Sequence, residues 1–336
     1  MIISRTPYRV SFFGGGTDFP EWFSANGGAV LSTSIDRYCY LTCRELPRFF
    51  DHKHRIVYSM TETVSSVEEI RHPAVREALR YMGITVGMEI HHDGDLPASS
   101  GIGSSSAFAV GILNALRALT DVPVSPIELA HEAVKLEREL LREAVGLQDQ
   151  FACALGGMNY MEFGPGETVK VQPLLLSAPL EDEISERMVL VYSGKSRSSH
   201  KITETLVAGL GFHDQRLCEL REMASRGREV LEQGGDLDEF GEMLKRAFRI
   251  KGEMSPHSVP WDIEALYDRG MSRGALGGKV LGAGGGGFIM FWLKRGDRER
   301  FLEEMRDHLI VPAHVDHSGS VILFDAAAAS RSVTAT

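Results

Sequence analysis

Residues 95–110 read DLPASSGIGSSSAFAV, a loop of glycine and serine that passes directly into an apolar helical pattern. Glycine lets a backbone approach a ligand closely, and the first N–H groups of a helix attract anions together with the helix dipole. The serines at 104–106 offer helix caps and hydroxyl ligands. The stretch therefore predicts a phosphate-binding loop, with a capped helix after a flexible loop as the structural alternative. It is not a Walker A motif, because no lysine precedes Ser104 or Ser105.

The composition is that of an ordinary globular protein. A length of 336 residues suggests two domains, and an apolar content of 43% is enough for full cores. The net charge of −10 argues against broad binding to nucleic acid or membrane surfaces, and no apolar run is as long as a bilayer span. The four cysteines lack a Cys-x-x-Cys pair, which argues against a disulfide framework or a structural zinc site. Without a leader pattern after Met1, we expect a cytoplasmic protein.

Hydrophobic periodicity predicts an α+β protein in two parts. In the first part, strands are predicted at 2–4, 8–13, 29–34, 38–44, 56–59 and 88–92, and helices at 104–119, 126–142 and 147–155. An apolar strand at 188–192 begins the second part. There, helices are predicted at 215–232, 237–249, 263–269 and 297–308, and strands at 279–281, 288–293 and 321–324. The small, polar residues from about 326 to the end predict a loose tail.

A second glycine cluster, KVLGAGGGGF, occupies residues 279–288 and matches Gly-x-Gly-x-x-Gly at 282, 284 and 287. A dinucleotide-binding fingerprint must open a helix, whereas FIMFWL at 288–293 has the pattern of a strand. An oxidoreductase built on this run is therefore disfavoured. The cluster instead predicts a loop whose backbone approaches a ligand or another backbone closely, with a tight hairpin as the alternative.

Two further segments carry charged residues beside glycine. RTPYRVSFFGGGTD at 5–18 presents Arg9 on a strand and places Asp18 after three glycines, where it either accepts sugar hydroxyls or closes an Asx-turn. GLQDQ at 146–150 puts Asp149 at the start of a helix, where stabilising the helix dipole is a sufficient alternative role.

Taken in order, these segments resemble the three motifs of the GHMP kinases, at 5–18, 97–107 and 279–287. Within the family, SFFGGGTDFPEWF at 11–23 and GGAVLSTSIDRY at 27–38 are most similar to the bacterial D-glycero-D-manno-heptose 7-phosphate kinases. The resemblance implies a two-domain α+β fold: residues 1–185 form a half like ribosomal protein S5 domain 2, and residues 186–336 a ferredoxin-like half. The active site would lie in the cleft between them, with the third motif closing over it.

The resemblance also implies roles for individual residues. Asp149 would be the catalytic base, and Arg9 would face it across the reacting hydroxyl. ATP would bind at Pro97, Ser99, Ser100, Gly101, Gly103, Ser104, Ser105 and Ser106. Mg²⁺ would bind at Ser105 and Glu137, with Glu139 as a near alternative, because an oxygen-only set suits this ion. The acceptor sugar would contact Gly15, Gly16, Thr17, Asp18, Gly284 and Gly285.

The implied reaction is ATP-dependent transfer to the anomeric hydroxyl of heptose 7-phosphate, which gives the 1,7-bisphosphate for nucleotide-activated heptose and lipopolysaccharide. We hypothesise that Ser196, Arg197 and Ser198 bind the phosphate that the substrate already carries, with a polar interdomain loop as the alternative. Galactose is disfavoured, because the first motif lacks the glutamate and histidine of galactokinases. A fucokinase-like or other sugar 1-kinase is the main alternative, and a catalytically silent sugar or nucleotide sensor is another. Partners are small molecules only, and the oligomeric state stays open, a homodimer included.

Overall fold

The computed structural model describes residues 1–195, 207, 209, 213–254, 260–282 and 286–327. Within those ranges, no helix combines the length and apolar character needed to cross a bilayer. These residues form two β-sheets with helices packed on them. One large hydrophobic core includes side chains from both halves of the chain, and a smaller core lies within the second half.

The larger sheet is almost entirely antiparallel. Its strands are β1 (Ile2–Phe13), β2 (Gly28–Glu45), β3 (His54–Val57), β4 (Thr61–Val64), β5 (Met88–Gly94), β6 (Met158–Gly164), β7 (Thr168–Pro173) and β12 (Val321–Asp325). Their order is β12-β1-β2-β5-β3-β4, and β6 pairs with both β2 and β7. Only β3 and β5, among these described strands, run parallel to each other. The long β1–β2 pair forms the centre, since every residue of β1 from Thr6 to Phe13 is buried.

The helices of the first half are α1 (Pro20–Asn26), α2 (Pro73–Tyr81), α3 (Ser104–Leu119), α4 (Pro126–Val134), α5 (Gln148–Leu155) and α6 (Ala178–Arg187). α3 is packed against β1 and β2 on one side and against α4 and α5 on others, so most of its residues are buried. α4 begins with a capping box between Ser125 and Glu128.

The predicted helix at 126–142 is wrong beyond residue 134. After α4 the chain continues as a π-helical turn over Lys135–Leu140. This wider turn leaves both Leu136 and Glu137 fully buried, so a charged side chain faces the interior next to an apolar one. A regular amphipathic period could not reveal such an insertion, and π-turns occur frequently at functional sites.

The smaller sheet is antiparallel throughout. It consists of β8 (Met188–Tyr192), β9 (Ala275–Val280), β10 (Phe288–Leu293) and β11 (Leu309–Val311) in the order β11-β8-β10-β9. The helices of this half are α7 (Asp214–Glu232), α8 (Leu237–Met254), α9 (Trp261–Ser272) and α10 (Arg298–Glu304). The second glycine cluster joins the antiparallel strands β9 and β10, which agrees with the prediction that a strand follows it.

Aromatic side chains join the two halves. Phe12 and Phe13, at the end of β1, make edge contacts with Phe240 of α8, with ring centroids 5.3 and 4.8 Å apart. Trp292 of β10 packs on the same Phe240 at 4.7 Å. This cluster fixes the second half against the end of β1, three and four residues beyond Arg9.

The last strand lies in the larger sheet and not in the sheet of the second half. Residues 321–324 were grouped with the strands of the second half, but β12 pairs with β1, with Ile3 opposite Phe324. The physical reason is that β1 pairs with β2 on one side and needs a second partner on the other, a requirement that no local pattern near residue 321 carries. A boundary near residue 185 stays a prediction, and residues 328–336 of the predicted tail lie outside the described residues.

Candidate active site

Arg9 and Asp149 form a two-point ion pair. Arg9 Nε donates to Asp149 Oδ1 at 2.7 Å, and Arg9 Nη2 donates to Oδ2 at 2.6 Å. The third donor, Arg9 Nη1, binds the Gly101 carbonyl at 2.6 Å. Burial alone would lower the pKa of Arg9, but the adjacent carboxylate raises it, so the guanidinium stays charged. Asp149 remains 24% exposed, which leaves its carboxylate accessible from the cleft.

The local structure explains why Asp149 lies there. Asp149 stands in the first turn of α5, and the N–H of Leu147 just before that helix donates to the Asp18 carbonyl at 3.0 Å. Gly146 is required at this junction, since a Cβ there would lie 2.0 Å from an Asp18 carboxylate oxygen. The start of α5 is thereby fixed to the glycine turn that follows β1.

Asp18 is a second buried carboxylate beside the first. It accepts hydrogen bonds from Gly16 N–H at 3.0 Å and from the Gln148 side chain at 3.0 Å. Burial raises its pKa, and the negative charge of Asp149 raises it further. The structure therefore brings the predicted residues Gly15, Gly16 and Asp18 next to the Arg9–Asp149 pair.

Thr17 does not fit its predicted contact with substrate. Its side chain is fully buried, and its hydroxyl donates to the carbonyls of Gly14 and Ala29 at 2.8 and 3.0 Å. The same oxygen accepts the Ala29 N–H at 3.1 Å. The hydroxyl is thus used in closing the turn, which the sequence could not distinguish from a contact with sugar.

The glycine–serine loop leads into α3 as predicted. Three of its residues, Ser99, Gly101 and Gly103, have φ values of 56, 84 and 73°, in the left-handed region. Gly103 precedes α3, and in the described part of the chain no side chain caps that helix. Its first N–H groups therefore point to an open N-terminus, the arrangement that favours an anion. The backbone N–H of Arg9 donates to the Ile102 carbonyl at 3.0 Å, and this hydrogen bond fixes the loop to β1.

The serines of the loop have different roles. Pro97, Ser99 and Ser105 are exposed, and Ser104 Oγ accepts the Ser99 N–H at 3.1 Å. Ser100 differs from the predicted ATP contact, because it is fully buried and its hydroxyl donates to the Pro97 carbonyl at 2.6 Å. It shapes the loop rather than lining its open side.

Glu137 lies beneath the loop with no exposed surface. Its two oxygens accept the hydroxyls of Ser105 and Ser106, each at 2.7 Å, and the side-chain amide of Gln150 at 2.5 Å. Burial raises the pKa of Glu137 to about 7, although these hydrogen bonds oppose the shift. Glu139, the sequence alternative, is exposed.

The donor set at this point fits a magnesium ion. Ser105 Oγ and Glu137 Oε1 lie 2.7 Å apart at the open N-terminus of α3. Hard oxygen ligands completed by phosphate oxygens and water are what Mg²⁺ prefers. Among the described residues, no group of three or more His, Cys, Asp or Glu could hold a metal without such outside ligands.

The third glycine motif meets the loop from the second half. Phe288 N–H donates to the Ser100 carbonyl at 3.0 Å. A Cβ on Gly101 would lie 2.4 Å from the Leu281 carbonyl, and one on Gly287 would lie 2.1 Å from the Ser100 carbonyl. Only glycine allows this approach, so the sequence cluster marks a contact between two backbones. The predicted contacts Gly284 and Gly285 lie outside the described residues.

Two lysines that the sequence reasoning missed lie in the same cleft. Lys251 of α8 donates to the Gly282 carbonyl, and Lys279 of β9 donates to the Phe12 carbonyl of β1 at 3.0 Å. Burial lowers the pKa of Lys251 to about 8 and also lowers that of Lys279. One sign of this role was present in the sequence, since Lys279 is a charged residue in an otherwise apolar strand just before the glycine cluster. That position does not show which residue the lysine contacts.

The predicted phosphate-binding residues Ser196, Arg197 and Ser198 lie outside the described residues. Their neighbour Lys195 marks where that segment begins. The carbonyl of Lys195 accepts the Gly287 N–H at 2.7 Å. Lys195 itself therefore lies at the end of the third glycine motif.

Two family models match the chain. GHMP kinases N terminal domain matches residues 68–157, and GHMP kinases C terminal matches residues 228–311. The first match covers the glycine–serine loop, Glu137 and Asp149. The second covers the two lysines and the third glycine motif, and it ends before β12.

Similar proteins span nearly the whole chain. A D-glycero-alpha-D-manno-heptose 7-phosphate kinase of Campylobacter jejuni is 28% identical over 91% of this chain and 93% of its own length. A bifunctional fucokinase/GDP-fucose pyrophosphorylase of Arabidopsis thaliana is 26% identical over 92% of this chain but only 31% of its own length.

A solved structure has the same fold. The crystal structure of a D-glycero-D-manno-heptose 1-phosphate kinase from Bacteroides thetaiotaomicron superimposes with a TM-score of 0.79 at 24% identity, covering 97% of this chain and 99% of that one. The expected two-domain α+β architecture is thereby confirmed. The two family matches, read together with the fold, show that this chain is a kinase that belongs to the GHMP kinase family.

Proposed function

We propose that this protein is an ATP-dependent sugar kinase that phosphorylates the anomeric hydroxyl of D-glycero-D-manno-heptose 7-phosphate. The product would be the 1,7-bisphosphate, a precursor of nucleotide-activated heptose for surface polysaccharide. The observation that carries the proposal is the Arg9–Asp149 pair, which lies beside the open N-terminus of α3. The Campylobacter heptose 7-phosphate kinase supports the choice of sugar.

Asp149 would act as the general base. Its carboxylate is accessible, and each oxygen keeps a lone pair after binding Arg9, so it can accept the proton of the attacking hydroxyl. Arg9 orients this carboxylate through two parallel hydrogen bonds. Because Arg9 also binds the Gly101 carbonyl at 2.6 Å, it links the base to the loop that would hold the donor.

The loop would hold the triphosphate of ATP. The uncapped N–H groups of α3 would bind phosphate oxygens, with Ser99, Gly101, Gly103 and Ser104 around them. Ser105 and Glu137 would hold Mg²⁺. When bound, the ion offsets the negative charge of the triphosphate. Phosphoryl transfer depends mostly on positioning and electrostatics, which is what these groups supply.

Asp18, with Gly15 and Gly16, would contact the acceptor sugar. The Asp18 carboxylate accepts a hydrogen bond from Gln148, the residue before Asp149, so a sugar hydroxyl at Asp18 would place a neighbouring sugar oxygen close to the base. Ser196, Arg197 and Ser198, together with Gly284 and Gly285, stay predicted contacts on the acceptor side.

The second candidate is a fucokinase-like or other sugar 1-kinase, because the Arabidopsis relative includes a fucokinase. ATP consumption measured over heptose phosphates, free heptose, hexoses and fucose separates the two, followed by NMR of the product to locate the new phosphate. We expect the highest kcat/KM with heptose 7-phosphate and a new phosphate on C1. A preference for fucose, or phosphate on another carbon, would contradict the proposal.

A further inference from the structure

Lys251 and Lys279 lie in the cleft beside the Arg9–Asp149 pair, and no step of the proposed transfer uses them. Lys251 reaches the cleft from α8 and Lys279 from β9, so both belong to the second half. Each ammonium makes one hydrogen bond to a backbone carbonyl, to Gly282 and to Phe12 respectively. An ammonium has three donors, so two remain on each lysine within the described structure.

The charges around the two lysines do not balance. Among the described residues, neither ammonium forms an ion pair with a carboxylate, although most other cations of the chain do. The pKa of each lysine is lowered first by burial and then by neighbouring positive charges, of Lys251 and Arg9 at Lys279 and of Arg9 at Lys251. Within the described part of the chain, the Asp18 carboxylate raises the pKa of both lysines.

Among the described residues, this part of the cleft therefore contains the cations Arg9, Lys251 and Lys279 and the carboxylates Asp18 and Asp149. Asp149 already neutralises Arg9 through two short hydrogen bonds, which leaves Asp18 as the carboxylate that opposes the positive charge near the two lysines. Partly buried cations without full compensation are costly, unless an anion from outside completes the site. Lysine binds phosphate as a compact point charge, so a phosphate dianion suits the pair.

We propose that Lys251 and Lys279 together bind the phosphate group that the acceptor sugar already carries. This rests on the proposed sugar-kinase function and names the residues that would recognise the phosphate of its acceptor. The acceptor side is favoured because Lys279 donates to the Phe12 carbonyl near the end of β1, just before the glycine turn that carries Asp18, the proposed sugar contact. The donor site already has its own anion-binding groups in α3, Ser105 and Glu137.

The test compares one sugar with and without its phosphate. Lys251→Met and Lys279→Met are assayed with heptose 7-phosphate and with unphosphorylated heptose, with ATP varied separately. We expect the KM for heptose 7-phosphate to rise roughly 10- to 100-fold, the worth of a charge-assisted hydrogen bond. The KM for ATP and the kcat/KM for free heptose should stay within about 3-fold, a difference too small for the loss of such a bond.

Matched controls come from α8 and from the end of β10, the strand that pairs with β9. Lys245→Met changes a lysine on α8 that is paired with Glu242, and Lys294→Met changes an exposed lysine directly after β10. Both should behave as wild type. Lys251→Arg and Lys279→Arg keep the charge and should recover much of the affinity. Methionine has a similar length and no charge to bury, so the variants should fold, which thermal melting checks.

Phosphate binding is also measured directly, without turnover. Inorganic phosphate is titrated into wild type and both methionine variants by calorimetry, and we expect weaker binding in the variants.

Each other outcome is decisive. An equal loss for free heptose and ATP would assign the lysines to the transferring phosphate and overturn the proposal. No change in either KM or in phosphate binding would also overturn it. If wild type phosphorylates free heptose as well as heptose 7-phosphate, the subsite is absent while the sugar-kinase function survives. If no sugar is phosphorylated, the proposed function fails, and phosphate binding by the variants still decides the role of the pair.

Discussion

Arg9 and Asp149 constrain each other through two parallel hydrogen bonds. The guanidinium is almost fully buried, and its remaining donor fixes the Gly101 carbonyl, so it cannot turn away from the carboxylate. Asp149 is in turn held by the start of α5, which is fixed to Asp18. The geometry of the proposed base is therefore determined before any substrate binds, which is the preorganisation that catalysis requires.

Asp149→Asn should remove the base without removing the fold. We expect turnover with the best acceptor to fall roughly 10²–10⁴-fold, the usual share of a general base. ATP affinity should change far less, since Asp149 is not among the residues proposed to contact ATP. Steady-state kinetics with ATP and acceptor varied in turn measures both effects.

Asp238→Asn is the matched control, because Asp238 is also a first-turn aspartate paired with an arginine, Arg187 at 2.6 Å. It should leave kcat unchanged. Turnover of Asp149→Asn near that of wild type would show that Asp149 only orients the acceptor.

Glu137→Gln tests the proposed magnesium ligand. The amide keeps the shape of the side chain but loses the charge, so the Mg²⁺ concentration that gives half-maximal activity should rise at least 10-fold, about 1.4 kcal/mol. Titrating MgCl₂ at saturating ATP measures this. Glu139→Gln, at the exposed alternative position, should match wild type. The reverse pattern would move the ligand to Glu139.

At the scale of elements, the site depends on two departures from regular structure. The π-helical turn at Lys135–Leu140 buries Glu137 beneath the loop. The left-handed residues Gly101 and Gly103 turn the chain into an uncapped α3. A regular helix or a side-chain cap would remove either the carboxylate or the free N–H groups.

Gly282→Ala tests the backbone contact between the two glycine loops. Gly282 has φ +64°, and a Cβ there would lie 2.5 Å from the Gly101 Cα. The alanine must therefore separate the loops, and we expect kcat/KM to fall at least 10-fold, about 1.4 kcal/mol of transition-state stabilisation.

Gly234→Ala is the control, because Gly234 has nearly the same φ, +65°, and nothing within 4 Å of a Cβ. In both variants the alanine must adopt a left-handed backbone conformation, which costs about 1 kcal/mol of folding free energy. Urea unfolding therefore separates strain from contact. Equal kinetics in the two variants would mean that the close approach has no role in catalysis.

At the scale of the whole molecule, the cleft exists because two separate sheets are fixed against each other. Phe12, Phe240 and Trp292 form the aromatic contact that joins them, beside the polar groups of the site. This contact brings α8 and β9 to the end of β1, and with them Lys251 and Lys279. The cleft lysines are thus a product of the assembly of both halves.

Bringing Lys251 into the cleft should make stability depend on pH. Burial lowers its pKa to about 8, from about 10.4 in an unfolded chain. Between these values the unfolded state binds more protons, so the free energy of unfolding gains a contribution as pH rises from 8 to 10. Of the facing groups, Arg9 also lowers the pKa of Lys251 and Asp18 raises it. The pKa of Lys279 is itself lowered, so Lys279 contributes a pH dependence of the same sign.

Lys251→Met should remove this dependence. At pH 7 to 8 we expect the variant to be more stable than wild type, and the difference should shrink towards pH 10. Urea unfolding at each pH measures it, with Lys245→Met as a control that parallels wild type. A difference that stays constant from pH 7 to pH 10 would show that Lys251 is not held in a charge-disfavouring site.

The sequence by itself determined the features that depend on one residue and its neighbours. Left-handed turns and close backbone approaches require glycine for steric reasons, so the sequence alone predicted the loops at 95–103 and 282–287. The spacing of apolar residues likewise predicted α3 and the strands β8 and β10. The motif order also indicated the family that the comparisons confirmed.

Only the tertiary structure decided which distant residues meet. Arg9 and Asp149 are 140 residues apart, β12 returns to β1 from the far end of the chain, and Lys279 reaches Phe12 across 267 residues. Thr17 and Ser100 look the same in sequence whether their hydroxyls face a ligand or a backbone carbonyl. Such contacts depend on how whole elements pack, because the partner's position is absent from any local pattern.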